Sequence, residues 1–422
     1  MSEYTLQLER YDESNRIKKL GMVMPFSNTE RSSFGCPRLW TLDYVQNYKT
    51  EEKSDALMYG VIWHCLLEKI LLDVKQTDKL INSNDVAAFL NEHLTPTIEN
   101  CYLSSGDASF LEEAMSFGKI EEIEQRIINA LPGWVLSWQE VIKRFKVLEV
   151  ELTLAAPVVD YNGEIKKFPV YVVEDGDTVR PARIGEGNKD NRKEIPYYKI
   201  GKIDCLLEER TTGDLWICDH KTSSSPSSYE NSLTYDLQLP SYASLLDYEI
   251  NDGELQQYKG KEITGVMYDI CHSKISSIPK LLKSGKLSTA KNAGITSWIF
   301  EDAIEHYGLG KSQYKDHIEY LKNNVDTKKF MQRYYYVNEQ DIERCASEDF
   351  GVASAMNRKR SQLAMTEEDS KLEFDEIAYR YPVCQKYGNC KFSSICLADN
   401  HPSVIMDHKS GKINWLRNKP QN

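Results

Sequence analysis

The sequence lacks most of what would tie it to a membrane or make it a motor. No stretch approaches eighteen consecutive apolar residues, so no membrane-spanning helix is expected. The opening residues, MSEYTLQLERYDES, are polar and acidic and do not read as a secretory signal, which points to a cytoplasmic protein. No GxxxxGK[ST] phosphate loop occurs, so the chain is not itself an ATP motor. Positive charge is in deficit: 52 Lys and Arg stand against 64 Asp and Glu, a formal net charge of −12. That balance argues against a broad phosphate-binding surface and leaves room for a local one, since residues 258–291 carry seven lysines against two acids and 397–422 is net basic. The simpler reading of both segments is solvated surface lysine. Internal repeats and low-complexity linkers are absent.

The chain has 422 residues, 41% of them hydrophobic, enough for one large elaborated domain or two to three modest ones. Its ten cysteines, at 36, 65, 101, 205, 218, 271, 345, 384, 390 and 396, read as thiols or metal ligands in a reducing compartment. Besides Cys36, six lie singly, mostly in apolar runs, as core residues do; three cluster at 384–396.

Cys36-Pro37-Arg38-Leu39-Trp40 opens a helix with proline in its first turn. Residues 56–73 form a strong helix, with Val61, His64, Cys65, Glu68, Leu71 and Leu72 on one side. The pattern stays helical over 78–143, broken near Pro96 and near Pro132-Gly133. At 145–155 the period changes to two: Val147, Glu149, Glu151 and Thr153 alternate with Leu148, Val150, Leu152 and Leu154, which predicts a strand. Short β-prone pieces and a charged loop, GEGNKDNRKEIP, follow. Next come a hairpin over 197–221, a helix carrying Gln238 and Tyr242, and a strand over 262–271. Residues 272–345 read as mostly helical, as do 338–369. This order implies one α/β domain with helical additions.

The hairpin, YYKIGKIDCLLEERTTGDLWICDHK, carries the chemistry. Asp219 and Lys221 are two apart on a strand and share a face, and Asp204 on the partner strand can meet them. Carboxylates take a hard divalent cation through oxygen, and such a cation neutralises phosphate charge and acidifies a bound water. A lysine beside it can position that water. D-x-K alone is weak, since a surface ion pair is the commoner origin of such a tripeptide.

The wider pattern is more specific. Gly60-x-x-x-His64, Gly201-Lys202-Ile203-Asp204, Asp219-His220-Lys221 and Gln238-x-x-x-Tyr242, in that order, resemble the PD-(D/E)XK nuclease superfamily, and within it the RecB-like branch. The resemblance implies a restriction-endonuclease-like α/β fold, a mixed central sheet flanked by helices, with helical N-terminal and C-terminal additions. It implies His64, Asp204 and Asp219 as ligands of Mg2+ or Mn2+, Lys221 as the catalytic lysine, and Gln238 and Tyr242 as supporting residues. Glu68, one turn beyond His64, can face the same site, although a surface glutamate is the commoner case; the role of Glu151 stays open. A single nuclease domain over 1–400 is expected. Its parts are a helical region 36–143, a catalytic core 145–271, a helical insertion 272–345 and a cysteine segment 374–400, with a basic tail at 401–422.

Cys384, Cys390 and Cys396 need a fourth thiolate for a closed site, and Cys36 in FGCPRLW is the best candidate. This arrangement resembles RecB-like nucleases that hold a 4Fe-4S cluster, such as AddB-type helicase–nucleases and CRISPR-associated exonucleases. Those families commonly have two residues between the first two cysteines of the trio, whereas this chain has five, and zinc is the alternative occupant. Such a site would close a loop of about 350 residues and couple folding to metal occupancy. The expected function is a metal-dependent deoxyribonuclease, an exonuclease on DNA ends or single strands in recombination, repair or phage DNA metabolism. DNA is its partner, with room for a helicase or recombination protein. The alternatives are an endonuclease or nickase of the same fold, and a catalytically silent DNA-binding or scaffold protein.

Overall fold

In a computed structural model the described residues are 23–45, 48–50, 55–82, 85–103, 119–160, 162–172, 179–181, 192–227, 230, 238–273, 279–290, 296–323, 329–363, 390, 392 and 416–418. The described residues begin with β1 (Met24–Ser27), α1 (Asn28–Phe34) and α2 (Pro37–Trp40), the last entered from Cys36 with proline at its first position. A short strand β2 (Tyr48–Thr50) precedes three long helices, α3 (Asp55–Thr77), α4 (Val86–Leu103) and α5 (Lys119–Arg144). Then come β3 (Phe145–Pro157), β4 (Lys167–Val172), β5 (Val179–Pro181), β6 (Arg192–Glu209) and β7 (Leu215–Ser223). After α6 (Gln238–Asn251) and β8 (Ile263–His272) follow α7 (Ser297–His306), α8 (Lys315–Asn323), β9 (Phe330–Tyr336), α9 (Glu339–Leu363) and β10 (Leu416–Asn418). Among the described residues no helix is long and apolar enough to cross a membrane.

Among the described residues eight strands form one mixed sheet in the order β5-β4-β6-β7-β8-β9, with β1 and β3 also paired to β6. The 18-residue β6 is the hub: β4 and β3 pair with it antiparallel, and so does β7, while β1 runs parallel to it. The other parallel pair is β7 with β8. Strand alternation divides the apolar residues between two cores. Cys205, Leu207, Trp216, Cys218, Met267 and Cys271 pack against α3, α4 and α5. Ile203, Leu206, Leu215, Ile217, Val266, Tyr268 and Ile270 pack against α6. The architecture is the mixed α/β sheet flanked by helices that the sequence implied.

Several local expectations are corrected. Helices α4 and α5 run through Pro96 and Pro132 instead of breaking there. Gly133 marks a contact rather than a stop: a Cβ on it would lie 2.4 Å from the Phe330 ring, so only glycine lets β9 approach α5. The apolar stripe of α3 is Met58, Tyr59, Ile62, Trp63, Leu66, Leu67, Ile70, Leu71 and Val74, not the side that carries Val61, Cys65 and Leu72. His64 lies half-buried at the edge of that stripe. The stretch 272–345 is not helical throughout, because β9 extends the sheet beyond β8. The period-two reading of β3 also fails, at two points. A register shift between Val147 and Glu149 leaves Leu148 on the α6 side. Val150 packs on the α3 side and Leu152 on the α6 side, so the strand switches faces across Glu151, whose φ is 51°.

Candidate active site

The site forms where α3, β3, the β6–β7 hairpin and the start of α6 converge. His64 Nδ1 on α3 lies 3.3 Å from Asp204 Oδ1 on β6. The other oxygen of Asp204 accepts the backbone N–H of His220 at 2.5 Å, which ties the carboxylate to the neighbouring strand. Burial alone would raise the Asp204 pKa. The His64 imidazole, with the charges of His220 and Lys221, outweighs that and holds the carboxyl well below the usual range.

Glu151 completes this corner. The pairs Val150↔Cys205 and Leu152↔Ile203 place it opposite Asp204 in the β3–β6 ladder. Ligand atoms of His64, Glu151 and Asp204 all lie within 4.8 Å of one another. A non-glycine residue at positive φ is strained, by about 1–3 kcal/mol, and persists where its surroundings over-determine it. Here the strained residue is the one that brings a third donor to the site. Its carboxyl is raised by burial and by the nearby charges of Asp204 and Glu68, against an ion pair to Lys202 at 2.6 Å.

Asp219 and Lys221 project from β7 towards α6, the face that Leu215 and Ile217 also occupy. Lys221 Nζ is 2.6 Å from Asp219 Oδ2 and donates to Gln238 Oε1 at 3.2 Å. Gln238 Nε2 in turn donates to the Tyr242 hydroxyl at 2.6 Å. The four residues of the two motifs thus form one continuous chain. Gly201 makes room for it: a Cβ there would lie 2.9 Å from Tyr242 Cε1 and 2.8 Å from Leu245 Cδ1, so glycine alone allows α6 to lie this close to β6. Burial, reinforced by Asp204, pushes the Asp219 carboxyl up to about 6 despite Lys221. Burial likewise raises the Tyr242 phenol, which keeps it a neutral hydrogen-bonding group.

This donor set suits a hard divalent cation. Two carboxylates and an imidazole converge at His64, Glu151 and Asp204, Glu68 adds negative charge, and Asp219 Oδ2 is buried without a hydrogen bond beyond its ionic contact with Lys221. Mutually repelling, partly desolvated carboxylates are what bound positive charge relieves.

His64, Asp204, Asp219, Lys221, Gln238 and Tyr242 are therefore brought to one place, although Asp219 does not join the compact trio within 4.8 Å. Sequence reasoning left Glu151 unassigned and did not single out Lys202. The available signal was register, since a strand laid antiparallel on β6 puts an acid opposite Asp204. Cys36 is buried and Cys390 half-buried, while Cys384 and Cys396 lie outside the described residues. Of the six single cysteines, five are buried; Cys65 is half-buried, with its sulfur 3.6 Å from that of Cys101.

No curated protein matches the chain. A family model does: that of the PD-(D/E)XK nuclease superfamily, over residues 34–397. The matched span contains every element that builds the site and all four cysteines of the expected cluster. On that match over most of its length, the chain belongs to the PD-(D/E)XK nuclease superfamily.

Proposed function

We propose that the protein is a metal-dependent deoxyribonuclease of the RecB-like branch, acting as an exonuclease on DNA ends or single strands. The observation that carries this reading is the junction of two groups. The His64–Glu151–Asp204 donors lie on one side of the hairpin site and the Asp219–Lys221–Gln238–Tyr242 chain on the other.

His64, Glu151, Asp204 and Asp219 are the residues that would hold Mg2+ or Mn2+. Such a cation, when bound, supplies charge neutralisation at the scissile phosphate and lowers the pKa of an attacking water. The chain's own residues do the rest. Lys221 orients the water and stabilises charge that builds on the phosphate oxygens. Gln238 fixes the ammonium through its side-chain carbonyl, and Tyr242 fixes Gln238. Lys202 is 55% exposed beside Glu151, where it can meet the phosphate backbone of an incoming strand. A groove with local positive charge can admit a single strand even on an acidic protein.

The Cys36, Cys384, Cys390 and Cys396 thiolates belong to the same reading as a 4Fe-4S site. Protein purified without oxygen is then brown and carries iron; colourless, iron-free protein would remove this part of the reading and leave zinc.

The test of exonuclease action is an end-labelled assay on linear duplex, single-stranded and covalently closed circular DNA with magnesium or manganese. Linear and single-stranded substrates are consumed and closed circles persist. Cleavage of closed circles would replace the exonuclease reading with the endonuclease one. Binding without cleavage of any substrate would leave a DNA-binding protein.

A further inference from the structure

Behind the hairpin, on the face opposite Lys221, lies a cluster that phosphodiester chemistry does not use. Cys205 and Cys218 are directly paired across the β6–β7 ladder. His220 follows Cys218 by two residues, so all three side chains project to the face covered by α3 and α5. All three are buried, and the two sulfurs and an imidazole nitrogen lie within 4.8 Å of one another.

The histidine is held in a particular way. Asp269, its partner in the β7–β8 ladder, lies with Oδ2 2.8 Å from His220 Nδ1. Trp134 Nε1 donates to Asp269 at 2.6 Å and Gln332 Nε2 at 2.8 Å, so the carboxylate is itself fixed. With Nδ1 engaged, Nε2 is the ring position left for a further ligand; it is buried, and the imidazole's other polar neighbour is the Cys205 thiol. A carboxylate behind one imidazole nitrogen, with the other left open, is the arrangement that orients metal-ligating histidines.

We infer that Cys205, Cys218 and His220 bind a thiophilic divalent cation, and the donor chemistry selects zinc. Two thiolates and an imidazole are zinc donors and poor donors for magnesium or calcium. Tetrahedral Zn–S and Zn–N bonds set these donors about 3.5–3.8 Å apart, which side-chain adjustments of roughly an ångström reach from the present positions. Two thiolates offset the charge of one divalent cation while the imidazole stays neutral, so the bound group adds no charge beyond the Asp269 carboxylate already there; binding releases the two thiol protons, with any proton on Nε2, to solvent.

The location gives the site a purpose. Cys205 directly follows Asp204 and Cys218 directly precedes Asp219, so a cation bridging the two sulfurs fixes the register of the strands that carry both carboxylates. It is a structural clamp with donors of its own: none is a hard-cation ligand or a C-terminal cysteine, while the His220 ring lies against that of His64 and its backbone N–H holds Asp204.

The test uses the full chain, produced with zinc in the medium and purified without chelators. Crystals measured across the zinc absorption edge show an anomalous peak at bonding distance, about 2.0–2.3 Å, from both sulfurs and from His220 Nε2. In solution, Cys218→Ser and His220→Ala each contain one equivalent of zinc less than wild type. Cys271→Ser, altered at a buried thiol on the same face, keeps it. The absence of a peak between these three residues, a Cys205–Cys218 disulfide in the density, or unchanged zinc in a folded Cys218→Ser protein overturns the inference. The wild-type crystal decides even if the variants do not fold. Neither measurement reads DNA cleavage, so this inference and the nuclease reading fail separately.

Discussion

Glu151 and Asp204 face each other across the β3–β6 ladder, and Glu151 reaches that position through a backbone φ of 51°. A regular strand would keep Val150 and Leu152 on one face; instead they lie on opposite faces, and the carboxylate between them joins His64 and Asp204. The strain is therefore located at a residue with a chemical use. Glu151→Gly relieves the strained backbone while removing the carboxylate. Its melting temperature stays level or rises, because relief of about 1–3 kcal/mol exceeds the roughly 0.5–1 kcal/mol entropic cost of glycine. Its cleavage rate falls by about 100-fold, comparable to the upper range for losing a partner of a metal ligand. If the ion pair to Lys202 were the main role of Glu151, stability would fall and activity would hold.

The Lys221–Gln238–Tyr242 chain separates chemistry from binding. Lys221→Ala lowers kcat by about 100-fold to 10,000-fold, the range for losing a group that positions or activates the attacking water. Gln238→Ala, which frees the ammonium without removing it, costs about 10-fold to 100-fold. Both leave KM for DNA within a few-fold, since the chain is partly buried between β7 and the start of α6 and holds the lysine rather than the strand. A rise in KM at constant kcat would place these residues in DNA binding.

Gly201→Ala tests the contact between α6 and β6. The added methyl meets Tyr242 and Leu245 at under 3 Å, so α6 must shift outward. Overpacking of this kind costs about 1–3 kcal/mol, and Gln238 moves with the helix. Chemical denaturation should show the loss, with kcat falling alongside. Wild-type stability in this variant would mean that α6 is not packed as described.

Asp219 sets a pH dependence. Its folded pKa of about 6 lies above the unfolded value, so its contribution to stability is present at low pH and is lost as pH rises through 6. Above that pH the metal-free protein holds a buried carboxylate that a divalent cation stabilises. Magnesium therefore raises the melting temperature more at pH 8 than at pH 5, and Asp219→Asn flattens the difference. Equal shifts at both pH values would contradict the placement of Asp219 at the cation site.

Much of the site was legible in the sequence because its signals are local. D-x-K fixes Asp219 and Lys221 to one strand face, and Gln238 and Tyr242 are one helical turn apart, so spacing alone sets their relation. Glu151 was not legible, because its role depends on a break in the alternation of β3 and on register with a strand some fifty residues away. Pro132-Gly133 misled for a related reason. Local propensity reads a helix break, whereas the glycine serves a tertiary contact with Phe330. Strand β9 was absorbed into a helical reading because its value lies in extending a sheet edge, which no local pattern records.

The most direct test of the central claim is single-turnover cleavage of end-labelled DNA by wild type, Asp204→Ala and Lys221→Ala. Each is assayed with magnesium, with manganese and with excess chelator. Cation-dependent product formation by wild type, abolished by chelator and reduced at least about 100-fold in both folded variants, is the predicted result. Cleavage that persists in chelator, or at wild-type rate in folded Asp204→Ala, would contradict it.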